Sequence, residues 1–311
     1  MTAVRALIAK PWTWSFLAAA LAFVISVASA GHGASGLFTS ALTFGTFYVI
    51  VGLGQMFVVT LGPGNIDLSV PSAIALTGCI AMKIMAGHDA AILPGIAAAL
   101  LAGAAIGLSN ALLIFLLRIP PIIATLSASF IIQSLAIRIG RGLLVKPPEA
   151  LATFSTAAPL GLPLLATVGL ALAFLSQLIL SRTITGRSIL AIGQNRRAAR
   201  LAGLATTRVA ITTYMACGVT SAICGVLLAS YSGGASLDMG AEYLLASIAV
   251  VVIGGTAVAG GSASVAGTWG ASLFLFLLVS TLSAFGLGAG GRTLLTGLII
   301  IAVVAAAGGR K

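Results

Sequence analysis

The 311-residue sequence predicts an all-α polytopic membrane protein of about ten transmembrane helices. Three observations carry that expectation. Charged residues make up 7% of the chain, against about 25% in an average soluble domain. Apolar runs long enough to cross a bilayer recur along the whole length, and the mean hydropathy is +1.18. Thirty-eight glycines, with many Ala, Ser and Thr, suit helices that pack closely through small residues. The strands of about ten alternating residues that would mark an outer-membrane barrel are absent from the sequence.

The spans fall near 11–30, 37–61, 66–86, 90–117, 120–139, 160–180, 208–229, 241–258, 264–285 and 293–308. Arg5 and Lys10 precede the first, which ends Ala28-Ser29-Ala30 like a signal-peptide cleavage site. Pro11 to Ala30 is nonetheless long enough to span, and further spans follow, so a retained first helix is expected. The eighth and ninth spans are joined by TAVAGGSASVAG, too rich in glycine for one uninterrupted helix, and a broken or re-entrant segment is expected there. GNIDLSVPSA (64–73) and AGGSASVAGT (259–268) echo one another, a hint of internal duplication.

An even number of spans puts both termini on one side. That side collects Arg5, Lys10, Arg118, Arg182, Arg187, Arg196, Arg197, Arg200, Arg208, Arg310 and Lys311, eleven of the 16 basic residues. The other side holds Lys83, Arg138, Arg141, Lys146 and Arg292, together with Asp89, Glu149, Asp238 and Glu242. The positive-inside rule then places both termini in the cytoplasm and makes 181–207 the largest cytoplasmic loop. The same distribution accounts for the net charge of +11 without nucleic acid, because the basic residues are spread over loops with no interleaved aromatics.

Catalytic chemistry is hard to place. His32 and His88 are the only histidines, both in expected outer loops, and no HExxH, CxxC or His/carboxylate cluster offers a metal site. Without a G-x-x-x-x-G-K-[ST] loop the chain should not hydrolyse ATP itself, and five scattered acids cannot hold catalytic magnesium. Cys79, Cys217 and Cys224 lie in apolar spans and read as small buried side chains rather than a disulfide framework. An ion-driven carrier needs an ionisable group in the membrane, and Asp67 and Glu242 sit near span ends, with Lys83 close enough to an end to snorkel. The deep polar residues are neutral: Gln55, Asn110, Gln133 and Gln177. They suit either a neutral hydroxylated solute or hydrogen bonds between helices.

The wettest stretch is GRSILAIGQNRRAARLAGL, residues 186–204. Asn195 is a good N-cap, RRAARLA reads as about two helical turns, and Gly203 fits the left-handed position after a helix end. Ala198, Leu201 and Ala202 share a face at i, i+3 and i+4, with arginines around it.

This segment resembles the cytoplasmic coupling motif of ribose-type ABC importer permeases, G-R-x-x-x-A-x-G-x-N-x-x-A-A-x-x-x-G. Gly186, Arg187, Ala191, Gly193, Asn195, Ala198, Ala199 and Gly203 fill its fixed positions. GNIDLSVPS (64–72) is similar to the family's GGIDLSVGS, IPPIIATLS (119–127) to VPPFIATLG, and 249–271 to AVVIGGTSLxGGxGSVxGTxxGA. The resemblance covers roughly 40–305. Asn65 and Pro71 depart from it, standing where glycine is usual. Asn tolerates left-handed backbone, and with Asp67 or Ser69 as N-cap, Pro71 falls in a first helical turn.

The resemblance implies a type II ABC importer-like permease, one transmembrane domain over 1–311, in a bacterial inner membrane. It implies a path for a monosaccharide or similar polyhydroxylated solute. The implied partners are a second permease subunit, two ATP-binding subunits or domains that hydrolyse ATP with magnesium, and a periplasmic binding protein. No cofactor is expected on this chain. A branched-chain amino-acid permease shares the architecture, and an ion-gradient-driven secondary carrier is the alternative from another class. Within this reading Ala198, Ala199 and Leu201 are the expected ATPase contacts, with Gly186, Arg187, Gly193, Asn195, Ala202 and Gly203 shaping their segment. Asp67, Ser69, Gln55, Asn110 and Gln133 are candidates for the path or its gate, Asp67 reading equally as a helix cap. Arg138, Arg141, Lys146 and Arg292 are candidates for docking the binding protein.

Overall fold

The computed structural model describes residues 11–30, 33–286 and 288–308. Arg5, Lys10, His32, Arg310 and Lys311, with the expectations attached to them, lie outside the described residues. Among the described residues thirteen α-helices follow in order: α1 (Pro11–Ala30), α2 (Ala34–Thr60), α3 (Val70–Met85), α4 (Ile92–Phe115), α5 (Pro121–Gly140), α6 (Glu149–Thr156), α7 (Leu164–Arg182), α8 (Ile184–Gln194), α9 (Arg196–Leu201), α10 (Thr206–Tyr231), α11 (Tyr243–Ile253), α12 (Val265–Ala284) and α13 (Ala289–Gly308). A helix lies in each of the ten apolar segments, and no strand occurs among the described residues. Six helices among the described residues are long and apolar enough to cross a membrane: α2, α4 with the turn before it, α5, α7, α10 and α12.

The helix α2 is the axis of the molecule. Every residue from Gly45 to Gly62 is buried, as expected of a helix that is hydrophobic all round. Its glycines set how near the neighbours come: Gly45 lies on Leu273 of α12, Gly52 on Val250 of α11 and Thr268 of α12, and Gly54 on Cys217 and Thr220 of α10. The α4–α10 contact is closer still. A Cβ at Gly107 would fall on the Tyr214 carbonyl and 2.6 Å from Met215 Cα, and Gly103 and Gly218 each press on the other's backbone. Gly78 and Gly225 bring α3 to α10 in the same way. The first helix lays a face of Ser15, Ala19, Ala22 and Ser26, all buried, on α12, where Gly270 receives Ser15 and Ser26 bonds Thr281. Around this core, Leu101, Leu116, Phe130, Ile131 and Phe174 point outward, an apolar rim suited to lipid.

Three features differ from the sequence reading, while the expected break between the eighth and ninth spans is present. The third span begins only at Val70, because 61–69 is held as a turn with left-handed Gly62 and Gly64, exposed at Pro63 and Gly64 and buried at Asp67 and Ser69. Asn65 is not among the residues with positive φ, so its tolerance of left-handed backbone is not used. The eighth span is cut to 11 residues, about 16 Å at 1.5 Å per residue, against a hydrocarbon core of about 30 Å. Gly254 seats against the Gly267 backbone at that point, and the chain leaves the helix until Ser264 caps α12. The basic loop 181–207 contains two helices rather than one. Thr183 caps α8 by accepting the Gly186 amide at 3.0 Å, one residue after α7 ends.

Replacing Gly107 by Ala puts a methyl where α10 backbone already sits. The cost is expected to be about 1–3 kcal/mol and to lower the thermal midpoint in detergent, read by size exclusion after heating. Gly36→Ala, with nothing within 4 Å, should leave it unchanged or slightly raised.

Candidate functional site

The first site is built where α2 breaks. Asp67, 2% exposed, accepts the Ser69 amide at 2.9 Å and the Ser69 hydroxyl at 2.6 Å. Asn110 of α4 donates to Ser69 Oγ at 2.8 Å and reaches both Asp67 carboxyl oxygens at 3.3 and 3.4 Å. The Cys217 thiol faces the same carboxyl. Asp67 therefore acts as the cap of the α3 entry, and Ser69 at the cap position donates to it instead of capping by itself. With Ser69 there, Pro71 falls in the first turn, where its missing amide costs little. A carboxyl group in such a site is sustained by its hydrogen bonds, since no basic side chain partners it among the described residues.

Three ties that the sequence did not reveal complete this junction. Thr125 of α5 accepts the Leu68 amide at 3.1 Å while donating to Pro121 O at 2.9 Å. Tyr214 of α10 donates to Asn65 Oδ1 at 3.2 Å, and Asn65 in turn donates to Gly62 O at 3.1 Å. Thr125 lay inside the IPPIIATLS segment and was a findable signal; Tyr214 had none.

The second site is the arginine-rich segment. Asn195 Oδ1 accepts the Ala198 amide at 3.0 Å, and Gly203 adopts φ +84 beyond α9, as the capping pattern requires. Ala198, Leu201 and Ala202 face outward, Leu201 at 83% exposure. Ala199 turns the other way. It is 5% exposed and packed into the chain's own core, so its side chain is not available to a partner, which corrects its place among the expected contacts. Arg187, Arg196, Arg197 and Arg200 are exposed.

The helix α8 joins the two sites. Its inward glycines leave no room for a side chain: Gly186 meets the Ile179 carbonyl of α7, and Gly193 meets Thr60 O and the Gly261 backbone. Thr60 O accepts the Gly261 amide at 3.0 Å, and Gly260 lies on Gly62. The two breaks, 61–69 and 254–264, thus meet beneath α8. The echo between their sequences has a structural counterpart, since the aligned Ser69 and Ser264 both occupy N-cap positions.

The remaining candidates are scattered. Gln55 is wholly buried, with both amide atoms unpartnered. Gln133 donates to Leu237 O at 3.1 Å, tying α5 to the loop before α11. Arg138, Arg141 and Lys146 are exposed at the end away from α9; Arg292 belongs to α13, and its side chain lies outside the described residues. Glu242, Lys83 and Gln177 are exposed. Cys79, Cys217 and Cys224 are free and buried.

A glycine-packed multi-pass bundle with broken helices and a capped, outward-facing basic helix defines a membrane transport permease. The chain belongs to the family described as branched-chain amino acid transport system / permease component, which it matches over residues 37–304. It is 34% identical over 249 residues to the autoinducer 2 import system permease protein LsrD of Yersinia enterocolitica, covering 78% of this chain and 75% of that one. It is 31% identical over 261 residues to the ribose import permease protein RbsC of Escherichia coli, covering 82% and 80%. No solved structure matches it.

Asn110→Ala removes the donor shared by Ser69 and Asp67 and leaves a buried carboxyl under-bonded. The expected loss is about 1–3 kcal/mol, checked as a lower thermal midpoint of the purified protein.

Proposed function

We propose that this chain is the membrane-spanning subunit of an ATP-driven importer in a bacterial inner membrane, carrying a monosaccharide or similar small polyhydroxylated solute. The observation that carries the proposal is the outward face of Ala198, Leu201 and Ala202 on a short capped helix that is itself docked on the bundle by backbone contacts. Small side chains with one exposed leucine suit insertion into a cleft of a partner. In this reading the partner is an ATP-binding subunit that supplies the ATP and magnesium chemistry, and this chain holds no cofactor. The solute class rests on the ribose and autoinducer 2 import named for the relatives.

The eleven-to-five distribution of basic residues supports an orientation with the arginine-rich end and both termini in the cytoplasm. A second permease subunit completes the path. The opposite end, with exposed Arg138, Arg141 and Lys146, meets the solute-loaded periplasmic binding protein. The gate is assigned to the Asp67–Ser69–Asn110 junction, because it ties the α2–α3 break to α4.

Leu201→Arg places a charge on the partner-facing surface without touching the core. Co-purification of ATP-binding subunits with the tagged chain is expected to fall at least about tenfold, roughly 1.4 kcal/mol, with the thermal midpoint of the chain itself unchanged. ATP-dependent uptake in ATP-loaded vesicles should fall with it; undiminished co-purification would refute the contact. Association of the binding protein should weaken as salt rises and lose that dependence when Arg138, Arg141 and Lys146 are all replaced by Ala.

A further inference from the structure

One line of contacts runs from the partner-facing helix into the bundle without passing through α8. Arg196, the first residue of α9, holds its guanidinium 5.2 Å from the centre of the Phe115 ring at the end of α4. Phe115 meets the fully buried Tyr214 ring edge-on, with centroids 6.3 Å apart and planes at 70°. Tyr214 donates its hydroxyl to Asn65, which lies two residues before the Asp67 cap and itself donates to Gly62 O. We propose that Arg196, Phe115, Tyr214 and Asn65 form a contact chain that carries displacement of α9 into the 61–69 break, with Tyr214 and Asn65 as positioning residues for its gate. The inference rests on the proposed function, in which α9 is the element an ATP-binding subunit moves.

The chemistry of each link suits that task. A guanidinium over a ring and an edge-on ring pair keep contact through small rotations, whereas rings themselves deform little. The Tyr214–Asn65 hydrogen bond is the directional step, and it is made by a side chain that the GGIDLSVGS-like pattern replaces with glycine. Because Arg196 follows the Asn195 cap directly, a shift of the capped end of α9 carries the guanidinium with it. Such a line transmits only if both of its ends have two arrangements, so the test must read both ends.

The test is peptide-resolved hydrogen exchange on the complex captured with the tagged chain, with ADP and then with ATP plus vanadate. In the wild-type complex, protection should change both in 196–202 and in 61–69. Tyr214→Phe removes one hydroxyl and Asn65→Gly one side chain. Each should keep the α9 change and shrink the 61–69 change at least threefold. A merely structural role would instead alter 61–69 equally in both nucleotide states. A 61–69 response retained in both variants overturns the contact chain while leaving the proposed function standing. A wild-type α9 without any nucleotide response overturns the proposed function itself, and the inference with it.

Discussion

Two interruptions of helix, at 61–69 and 254–264, leave backbone amides without intrahelical partners, and those turned into the bundle must find others. Each does. Leu68 uses the Thr125 hydroxyl, Ser69 uses the Asp67 carboxyl, Gly261 uses the Thr60 carbonyl, Ser264 uses the Thr256 hydroxyl and Gly267 uses the Ser264 hydroxyl. The choice of residues in GNIDLSVPS and GGSASVAG follows from this need: hydroxyl and carboxyl oxygens where amides are exposed, glycine where backbones meet. The breaks in turn fix where α3 and α12 begin, and hence how they pack on α2. The position of the rest of the bundle depends on these few bonds.

The contacts among α2, α8 and the second break are made backbone to backbone. At Gly193, Gly260 and Gly261 any added Cβ would strike another main chain, and Gln194 supplies the side chain that also lies against Gly261. A side-chain interface yields by changing rotamers; a glycine interface yields only by sliding or separating. That makes α8 a rigid mount. It holds α9 out toward a partner while leaving the helix itself, six residues with one buried alanine, light enough to be displaced.

Most of the helical frame was legible in the sequence because a membrane leaves the chain few alternatives to helix. Every apolar segment holds one, with ends displaced by a few residues. The α9 caps were legible because Asn195 and Gly203 act within three residues of the groups they serve. What escaped was of two kinds. The helix α8 was hidden by Gly186 and Gly193, which read as loop residues but serve as landing points for backbone. The ties of Asn65 to Tyr214 and of Leu68 to Thr125 span 149 and 57 residues; the IPPIIATLS segment marks Thr125 but not its partner, and nothing local marks Tyr214. Ala199 lies off the face shared by Ala198, Leu201 and Ala202, and the packed bundle shows that its own side is turned inward.

The two ends of the bundle are built differently, and the difference has a mechanical sense. At the end away from α9, beside the apolar packing of Met85, Leu151 and Val226, two exposed connections are single side-chain bonds: Asp89 accepts the Ala150 amide to cap α6 at 3.1 Å, and Thr39 donates to Gly161 O at 2.9 Å. Both lie at exposed positions, where water competes for each partner and the net worth of one bond is about 0.5–1.5 kcal/mol. Segments held in that way open locally at little cost. At the arginine-rich end, closely packed glycines and a buried carboxyl network hold the parts together, and they cannot be parted piecemeal without stranding polar groups. A displacement entering at α9 therefore meets backbone packed on backbone first, while the exposed connections at the other end yield at the cost of one bond each.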